Sequence, residues 1–419
     1  MHKMTTSKKS IRKKILRILL KFGLFPIIGG IVSLVVVGRV TNWWRGEPFY
    51  YVCMVGDFSQ TQNAQIRDEF KKNFGDDLEI GGVPVRYDIE EYSRIGEVEE
   101  ISKKLAKSRK TLMVVGHFFS THTETALPNY LNADPPIPVI LTTETNPKLI
   151  PSEIKASDSC PIIRMSPTDK EQAVTAAEFA IKDRNASIFW VVEDTENKVY
   201  SHYLAQEFIN QIHEKGSKVV LWSTSLSIPA SDVYKTLNID CVFFAGSWTN
   251  ALILIRQIRT FWSEKQMPTI ILSDWSVDEE LITQGGKDVE GVYLTHQLDA
   301  NRYDKHKYGL YGKDAAEIIR QIILKDKKDF SKIVGRERKI QYGLKRLLNI
   351  HRVTDARLFI NEILESAFET DREFESTLTE EKYVFKRVGN DDERKVIRKS
   401  AKFHIWKVKN NQFRNVDFP

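Results

Sequence analysis

The sequence predicts an α/β protein of two lobes, each built on a mainly parallel sheet with helices on both faces. Three observations predict it. After Gly46, short apolar runs alternate with amphipathic segments, the pattern of parallel strands joined by crossover helices. Nine such runs precede residue 300, too many for one compact doubly wound unit and suited to two. The chain has 419 residues and is 42% hydrophobic, enough to build two separate cores.

The predicted strands are 50–56, 84–89, 111–115, 137–141, 187–192, 217–222, 240–245, 268–272 and 291–295. Amphipathic stretches at 62–73, 97–107, 123–132, 169–183, 200–214, 250–262 and 277–284 are predicted as helices. The helix at 169 has the clearest start. Ser166-Pro167-Thr168 precedes it, and Thr168 with Glu171 makes a capping box in which each residue's side chain satisfies the other's backbone N–H. Gly285-Gly286-Lys287 follows a helix and reads as its C-cap, not as a phosphate loop. Cys160–Pro167 and Gly291–Ala300 read as segments that cross between the lobes. Beyond them, helices at about 311–326, 336–348 and 354–366 return to the first lobe, and strands at about 382–388 and 402–408 are expected to rejoin the second. Lys409-Asn410-Asn411-Gln412 reads as a hairpin turn between 402–408 and 412–416.

The net charge of +6 belongs to one end. Residues 1–45 carry ten Lys and Arg and no acid, leaving 52 basic against 56 acidic residues beyond them. A body of about −4 is a poor nucleic-acid binder. The basic stretch precedes an uncharged run, Phe22 to Gly38, flanked by Lys21 and Arg39 and followed by Trp43 and Trp44. At 17 residues it is at the short end of what spans a bilayer, and the charge bias puts the N-terminus in the cytoplasm. The expectation is a transmembrane signal anchor at 22–38 behind a basic cytoplasmic tail, 1–21, with the main body periplasmic or extracellular. A cleaved signal peptide is the other reading, although no A-x-A site is present. Cys53, Cys160 and Cys241 are isolated, so neither a zinc site nor a disulfide framework is indicated, and Cys53 and Cys241 sit in apolar runs as buried thiols.

Two polar loops carry the functional signal. The run at 111–115 leads into Gly116-His117-Phe118-Phe119-Ser120, and 137–141 leads into Thr142-Thr143-Glu144-Thr145-Asn146-Pro147. Both loops lie at the carboxyl ends of strands, the edge of an α/β sheet where ligands bind. They resemble the loops of type I periplasmic binding proteins of the branched-chain amino acid and amide group, which read roughly G-H-x-x-S and T-N-P. Ile163-Arg164-Met165-Ser166-Pro167-Thr168-Asp169 is similar to the FR-x-x-P-x-D stretch at that family's first crossover. The resemblance covers roughly 50–419 and is closest across 111–300. It implies two Rossmann-like lobes joined by three crossovers, with 48–165 and 297–368 in lobe 1 and 166–296 and 369–419 in lobe 2. The sequence departs from the pattern after Gly56-Asp57-Phe58-Ser59-Gln60-Thr61-Gln62, where the usual long helix and its glycine-rich sequel are compressed into 61–84.

An amino-acid ligand needs neutral donors for its carboxylate, an acidic or carbonyl oxygen for its ammonium and an aromatic wall. By resemblance Ser120 binds the carboxylate, Thr145 supplies the family's loop hydroxyl, the Thr143 carbonyl receives the ammonium, and Tyr200 covers the ligand from lobe 2. Trp248, after 240–245, is a candidate stacking residue. Asp274, after 268–272, is the candidate ammonium partner, with Trp275 taking its place if the alignment slips by one. Glu144 departs from the family's small residue: turned inward it adds negative charge, turned outward it is a solvated loop carboxylate. No G-x-S-x-G elbow, Walker loop, H-E-x-x-H or calcium loop occurs, so an enzyme is not indicated, and no cofactor or metal is expected. The resemblance implies an extracytoplasmic solute-binding protein for an amino acid or amide that closes by hinge motion and delivers its ligand to an ABC permease. The other reading is a membrane-anchored sensor or interaction module with the same fold.

Overall fold

The computed structural model describes residues 49–80, 82–150, 162–224, 226, 237–262, 267–298, 300, 308–325 and 403–416. It also describes the positions 353, 356–358, 360, 361 and 364 and the backbone of 373–375, 382–388 and 393–398. The expected anchor at 22–38, Cys160 and the helix expected at 336–348 lie outside the described residues. Among the described residues no helix is long and apolar enough to cross a membrane.

Lobe 1 begins with β1 (Tyr50–Gly56), α1 (Thr61–Asn73), β2 (Glu79–Ile80), β3 (Val83–Glu91), α2 (Ile95–Lys107), β4 (Thr111–Gly116), α3 (Ser120–Leu131), β5 (Val139–Leu141) and β6 (Ile162–Arg164). The chain then crosses into lobe 2. There follow α4 (Asp169–Glu178), β7 (Ile188–Glu193), α5 (Lys198–Glu214), β8 (Lys218–Ser223), β9 (Cys241–Ala245), α6 (Trp248–Phe261), β10 (Thr269–Leu272), α7 (Glu279–Gly285) and β11 (Tyr293–His296). It returns to lobe 1 for α8 (Gly309–Lys325), β12 (Glu373–Glu375), β13 (Lys382–Val388) and β14 (Glu393–Arg398), and ends in lobe 2 with β15 (His404–Val408) and β16 (Phe413–Asn415). All nine strands expected before residue 300 form. The capping box forms too, with Thr168 and Glu171 in reciprocal contact at the start of α4, and the helix expected to run to 183 widens into a π-type turn over Phe179–Asp183.

In the first sheet the order is β12-β13-β14-β6-β5-β4-β1-β3-β2, and in the second β16-β15-β11-β10-β9-β7-β8. In each, the chain leaves a central strand (β1, β7) to one side and then crosses to the other (β4, β9). The crevices so made open at the carboxyl ends of the strands. β1 is parallel to β3 and β4, and β7 is parallel to β8 and β9. Each sheet is covered on both faces: lobe 1 has one core against α1 and α8 and another against α2 and α3, and lobe 2 has one against α6 and α7 and another against α4 and α5. That double burial is why β1, β4, β7 and β9 read as unbroken apolar runs. Cys53 and Cys241 are free and buried in these strands.

The C-terminal strands divide differently from expectation, which put all of 369–419 in lobe 2. β13 and β14 pair antiparallel, and β14 joins the lobe 1 sheet beside β6, with Lys395 opposite Arg164. The short β6 would otherwise present an open hydrogen-bonding edge, and this ribbon covers it. Only β15 and β16 reach lobe 2, where β15 pairs antiparallel with β11. Their turn forms as read: Lys409 and Gln412 exchange N–H···O=C bonds of 2.9 and 3.2 Å, and Asn410 and Asn411 have φ of 53° and 56°. Both central residues are left-handed, the type I′ geometry that asparagine tolerates.

α1 and α8 pack closely at Gly312. A Cβ at Gly312 would press into the Ile66 carbonyl and lie 2.9 Å from Phe70 N, both rigid helix backbone. Gly312→Ala is therefore expected to push α8 off α1 and destabilise the fold by about 1–3 kcal/mol, read from a urea unfolding midpoint. An unchanged midpoint would show that the two helices separate freely.

Candidate functional site

The polar loops after β4 and β5 meet at the lobe 1 crevice, and a buried cluster fixes them. Glu144 accepts hydrogen bonds from Phe118 N–H (3.0 Å), Thr143 N–H (3.1 Å) and the Thr123 hydroxyl (3.0 Å). The Thr143 hydroxyl donates to the Phe118 carbonyl at 3.2 Å. From β6 the fully buried Arg164 donates Nη1 to the Glu144 carbonyl and Nη2 to the Asn146 carbonyl (2.9 Å), and Ser166 Oγ adds a bond to the Glu144 carbonyl at 2.8 Å. Glu144 is thus neither a solvated loop carboxylate nor a free charge in the crevice. Burial raises its pKa, and the hydrogen bonds it accepts, together with Arg164, act against that rise. Behind it His117 is buried between Tyr92 and Tyr130, with Nε2 2.9 Å from the Tyr130 hydroxyl. Burial pulls its pKa down to about 3, so the ring is neutral at pH 7.

Ser120 is the first residue of α3 and is buried. Among the described residues no protein group hydrogen-bonds its hydroxyl. Across the cleft, Asp274 closes the loop after β10. It accepts from the Tyr200 hydroxyl (2.6 Å), Gln172 Nε2 (2.9 Å) and Gln297 Nε2 (3.4 Å). Burial raises the pKa of Asp274, opposed by those hydrogen bonds, and burial and the neighbouring Asp274 raise that of Tyr200. Gln172 also donates to Thr295 Oγ1 at 2.6 Å, tying α4 to β11.

Between these halves lies a small cavity. Lobe 1 supplies Ser120, Thr143, Glu144 and Thr145 with Phe118 and Phe119, and lobe 2 supplies Asn197, Tyr200, Asp274 and Trp275. The rest of the lining is Gln62, Asn63 and Ile66 of α1, His296 and Gln297 at the end of β11 and just after it, and Tyr308 and Tyr311 at the start of α8. Neither lysine nor arginine lines it among the described residues. The lobes touch directly around its rim. Thr121 N–H and hydroxyl donate to Asn197 Oδ1 (3.2 and 2.9 Å), Asn146 Nδ2 donates to the Val199 carbonyl (2.8 Å), and Trp275 meets Phe119 edge-on at 6.1 Å. No group of three or more His, Cys, Asp or Glu that could hold a metal ion occurs among the described residues.

Five of the six residues singled out from the sequence, Ser120, Thr143, Thr145, Tyr200 and Asp274, border this one cavity. Trp248 does not. It opens α6 and packs against the lobe 2 core, because the crevice after β9 is filled by Asp194, whose carboxylate accepts from Ser247 N–H and hydroxyl (3.0 and 2.9 Å) and from Asn250 Nδ2. Trp275 lines the cavity beside Asp274, so both alternatives at that loop are present. Gln172, Asn197, Gln297, Tyr308 and Tyr311 escaped the sequence reading. They lie at helix starts or in the crossovers and carry no motif. For Gln62 the departure of the first loop from the family pattern was the only signal.

Asp169, the first residue of α4, is fully buried behind the cavity. The Thr145 hydroxyl approaches its carboxyl, yet neither oxygen has a hydrogen bond of full geometry. Burial raises its pKa well above the usual carboxylate value, only partly opposed by Thr145, and Asp274 nearby adds to the rise. An acid raised in the folded state takes up its proton more readily there than in the unfolded chain. It therefore costs no stability below the unfolded pKa of about 3.9 and progressively more as pH rises through the folded pKa. Asp169→Asn is expected to gain stability over the parent protein as pH rises above about 4, with the difference constant below it. Parallel unfolding curves at pH 3.5 and 7 would contradict this.

No protein-family model matches the chain and no curated protein matches it. Solved structures do match. A leucine-binding protein, LivK, from Thermotoga maritima superposes with a TM-score of 0.64 at 16% identity, covering 88% of this chain and 98% of that one. The branched-chain amino acid transporter substrate-binding protein LivJ from Streptococcus pneumoniae, in complex with isoleucine, gives 0.60 at 13% identity over 88% and 99%. An ABC-transporter solute-binding protein from R. palustris, in complex with 4-hydroxybenzoate, gives 0.61 at 13% identity over 88% and 96%. Identities this low speak to architecture alone, and with the two crevices, the crossovers and the interlobe cavity they show that this chain has the type I periplasmic binding protein fold.

Proposed function

We propose that this chain is an extracytoplasmic solute-binding protein that holds an amino acid or amide between its lobes and closes on it by hinge motion. The observation that carries the reading is the convergence of Ser120, Thr143 and Thr145 from one lobe with Tyr200 and Asp274 from the other on one cavity. Ser120 and the first N–H groups of α3 offer neutral donors to a carboxylate, and a carboxylate at a helix N-terminus also meets the favourable end of the helix dipole. Asp274, already oriented by three donors, pairs with the ammonium. The aromatic rings of Phe119, Tyr200 and Trp275 cover the rest. Nothing in this arrangement is a nucleophile paired with a base, so its chemistry is capture and release. The fold neighbours, described as ABC-transporter substrate-binding proteins, support delivery to an ABC permease, and the uncharged run 22–38 supports tethering at the membrane.

The test is thermal unfolding of the full chain in detergent against a panel of amino acids, amides and small carboxylates. A ligand at 100 times its dissociation constant stabilises by about 2.7 kcal/mol, a plain shift in Tm. Flat curves from folded protein across the whole panel would reject solute binding and favour a sensor or interaction module.

A further inference from the structure

A chain of hydrogen bonds runs from the lobe 2 sheet to the carboxylate of Asp274, and its middle member, Gln172, does not line the cavity. The Leu272 carbonyl on β10 accepts from the Thr295 hydroxyl (3.3 Å), and Thr295 Oγ1 on β11 accepts from Gln172 Nε2 (2.6 Å). The same Nε2 donates to Asp274 Oδ1 at 2.9 Å. An amide nitrogen carries two hydrogens, so both are committed, one to Thr295 and one to Asp274. Gln172 is fully buried in the first turn of α4, and its Oε1 has no hydrogen-bond partner among the described residues. A buried amide oxygen left unpaired costs stability that a methionine of similar size would not incur. An unsatisfied group of this kind in a core calls for a reason outside folding. The two oxygens of Asp274 are also treated unequally. Oδ1 accepts short bonds from Tyr200 (2.6 Å) and Gln172 (2.9 Å), whereas the side-chain donor to Oδ2 among the described residues is Gln297, at 3.4 Å.

We infer that Gln172 is a positioning residue for the solute's ammonium: it pins Asp274 Oδ1 to the rigid sheet through Thr295 and so presents Oδ2 to the guest. The inference rests on the solute-binding reading above. Asp274 sits in the loop after β10, and a loop carboxylate held by Tyr200 alone would have to be ordered on binding. Orienting it beforehand removes that cost from the affinity. The amide also favours the ionised carboxylate, since its hydrogen bond opposes the rise in pKa that burial imposes on Asp274. The titratable groups that interact with Asp274 are Tyr200 on α5 and Asp169 on α4, and Glu144 and His296 line the same cavity.

The experiment is calorimetric titration of the full chain in detergent with the protein amino acids, then of Gln172→Met and Thr295→Val with the tightest binder. Gln172→Met is expected to bind at least about tenfold more weakly, the low end of what a hydrogen bond to a charged group supplies. Its urea unfolding midpoint is expected to match the parent's or exceed it, because the unpaired Oε1 is gone. Thr295→Val leaves Asp274 and Gln172 in place but frees the amide, and is expected to weaken binding by less. A pH series separates positioning from packing. Without the Gln172 donor Asp274 holds its proton more tightly, so the pH below which affinity falls moves up in Gln172→Met. Affinity within about twofold of the parent's, or a loss equal at every pH, would mark Gln172 as a structural tie between α4 and β11 and overturn the inference, leaving solute binding intact. If Gln172→Met does not fold, Thr295→Val decides alone, and unchanged affinity there overturns the assignment. No binding of any amino acid by the folded parent protein rejects the solute-binding reading itself, and this inference with it.

Discussion

Asp274→Ala is expected to weaken binding of an ammonium-bearing ligand by about 2–5 kcal/mol, roughly 30-fold or more, while the chain stays folded. The carboxylate faces the cavity with Tyr200, Gln172 and Gln297 aimed at it, so removing it leaves the ammonium without a counter-charge and three donors without an acceptor. Asp274→Asn separates the two effects in large part, since its amide oxygen at the Oδ1 position still accepts from Tyr200 and Gln172 while the charge, and the acceptor for Gln297, are gone. The pH dependence supplies the sign. Burial raises the pKa of Asp274, and the ligand pairs with the ionised form, so affinity is full above that raised pKa and is lost as pH falls through it. Asp274→Asn should bind weakly at every pH with that slope gone. Calorimetric titration between pH 4 and 8 checks both statements, and an unchanged slope in the variant would assign the proton to another group.

Arg164→Met is expected to cost about 3–5 kcal/mol of stability, the largest effect on folding that a single site here should give. The guanidinium is fully buried and bonds the Glu144 and Asn146 carbonyls, which fixes the loop carrying Thr143 and Thr145. Its charge also faces the buried carboxyls of Glu144 and Asp169. Methionine keeps much of the volume and restores none of these bonds, so two loop carbonyls and two acids lose their partner together. Urea unfolding reads the loss. The companion variant Glu144→Gln should recover part of it in the double mutant, because it removes one of the buried acids that Arg164 no longer faces. A midpoint within about 1 kcal/mol of the parent protein would mean that water or a neighbouring donor replaces the guanidinium.

Much of this was legible in the chain. Parallel strands buried on both faces must be apolar throughout, so β1, β4, β7 and β9 announce themselves without an alternating pattern. Thr168 and Glu171 close a box four residues long, and Asn410-Asn411 set a turn by their own backbone preference, so both could be read locally. The hydroxyl-rich loops after β4 and β5 could be placed at the binding edge because a strand's carboxyl end is fixed once the strand is.

What the sequence determined by itself, then, was whatever depends on neighbours a few residues apart: the elements, their order and the loops that reach the cleft. Only the tertiary structure decided where side chains in those loops point and what meets them. Glu144 turns into lobe 1 because Phe118, Thr123 and Arg164, distant in sequence, present donors to it and to its carbonyl. Trp248 faces a core because Asp194 already fills its crevice, and β14 joins lobe 1 because β6 has an open edge. Gln62, Gln297 and Tyr311 line one cavity because α1, α8 and the end of β11 come together there. Each outcome is a competition among contacts between remote segments, and its result is set by which groups packing brings within hydrogen-bonding distance, information that no local stretch of the chain contains.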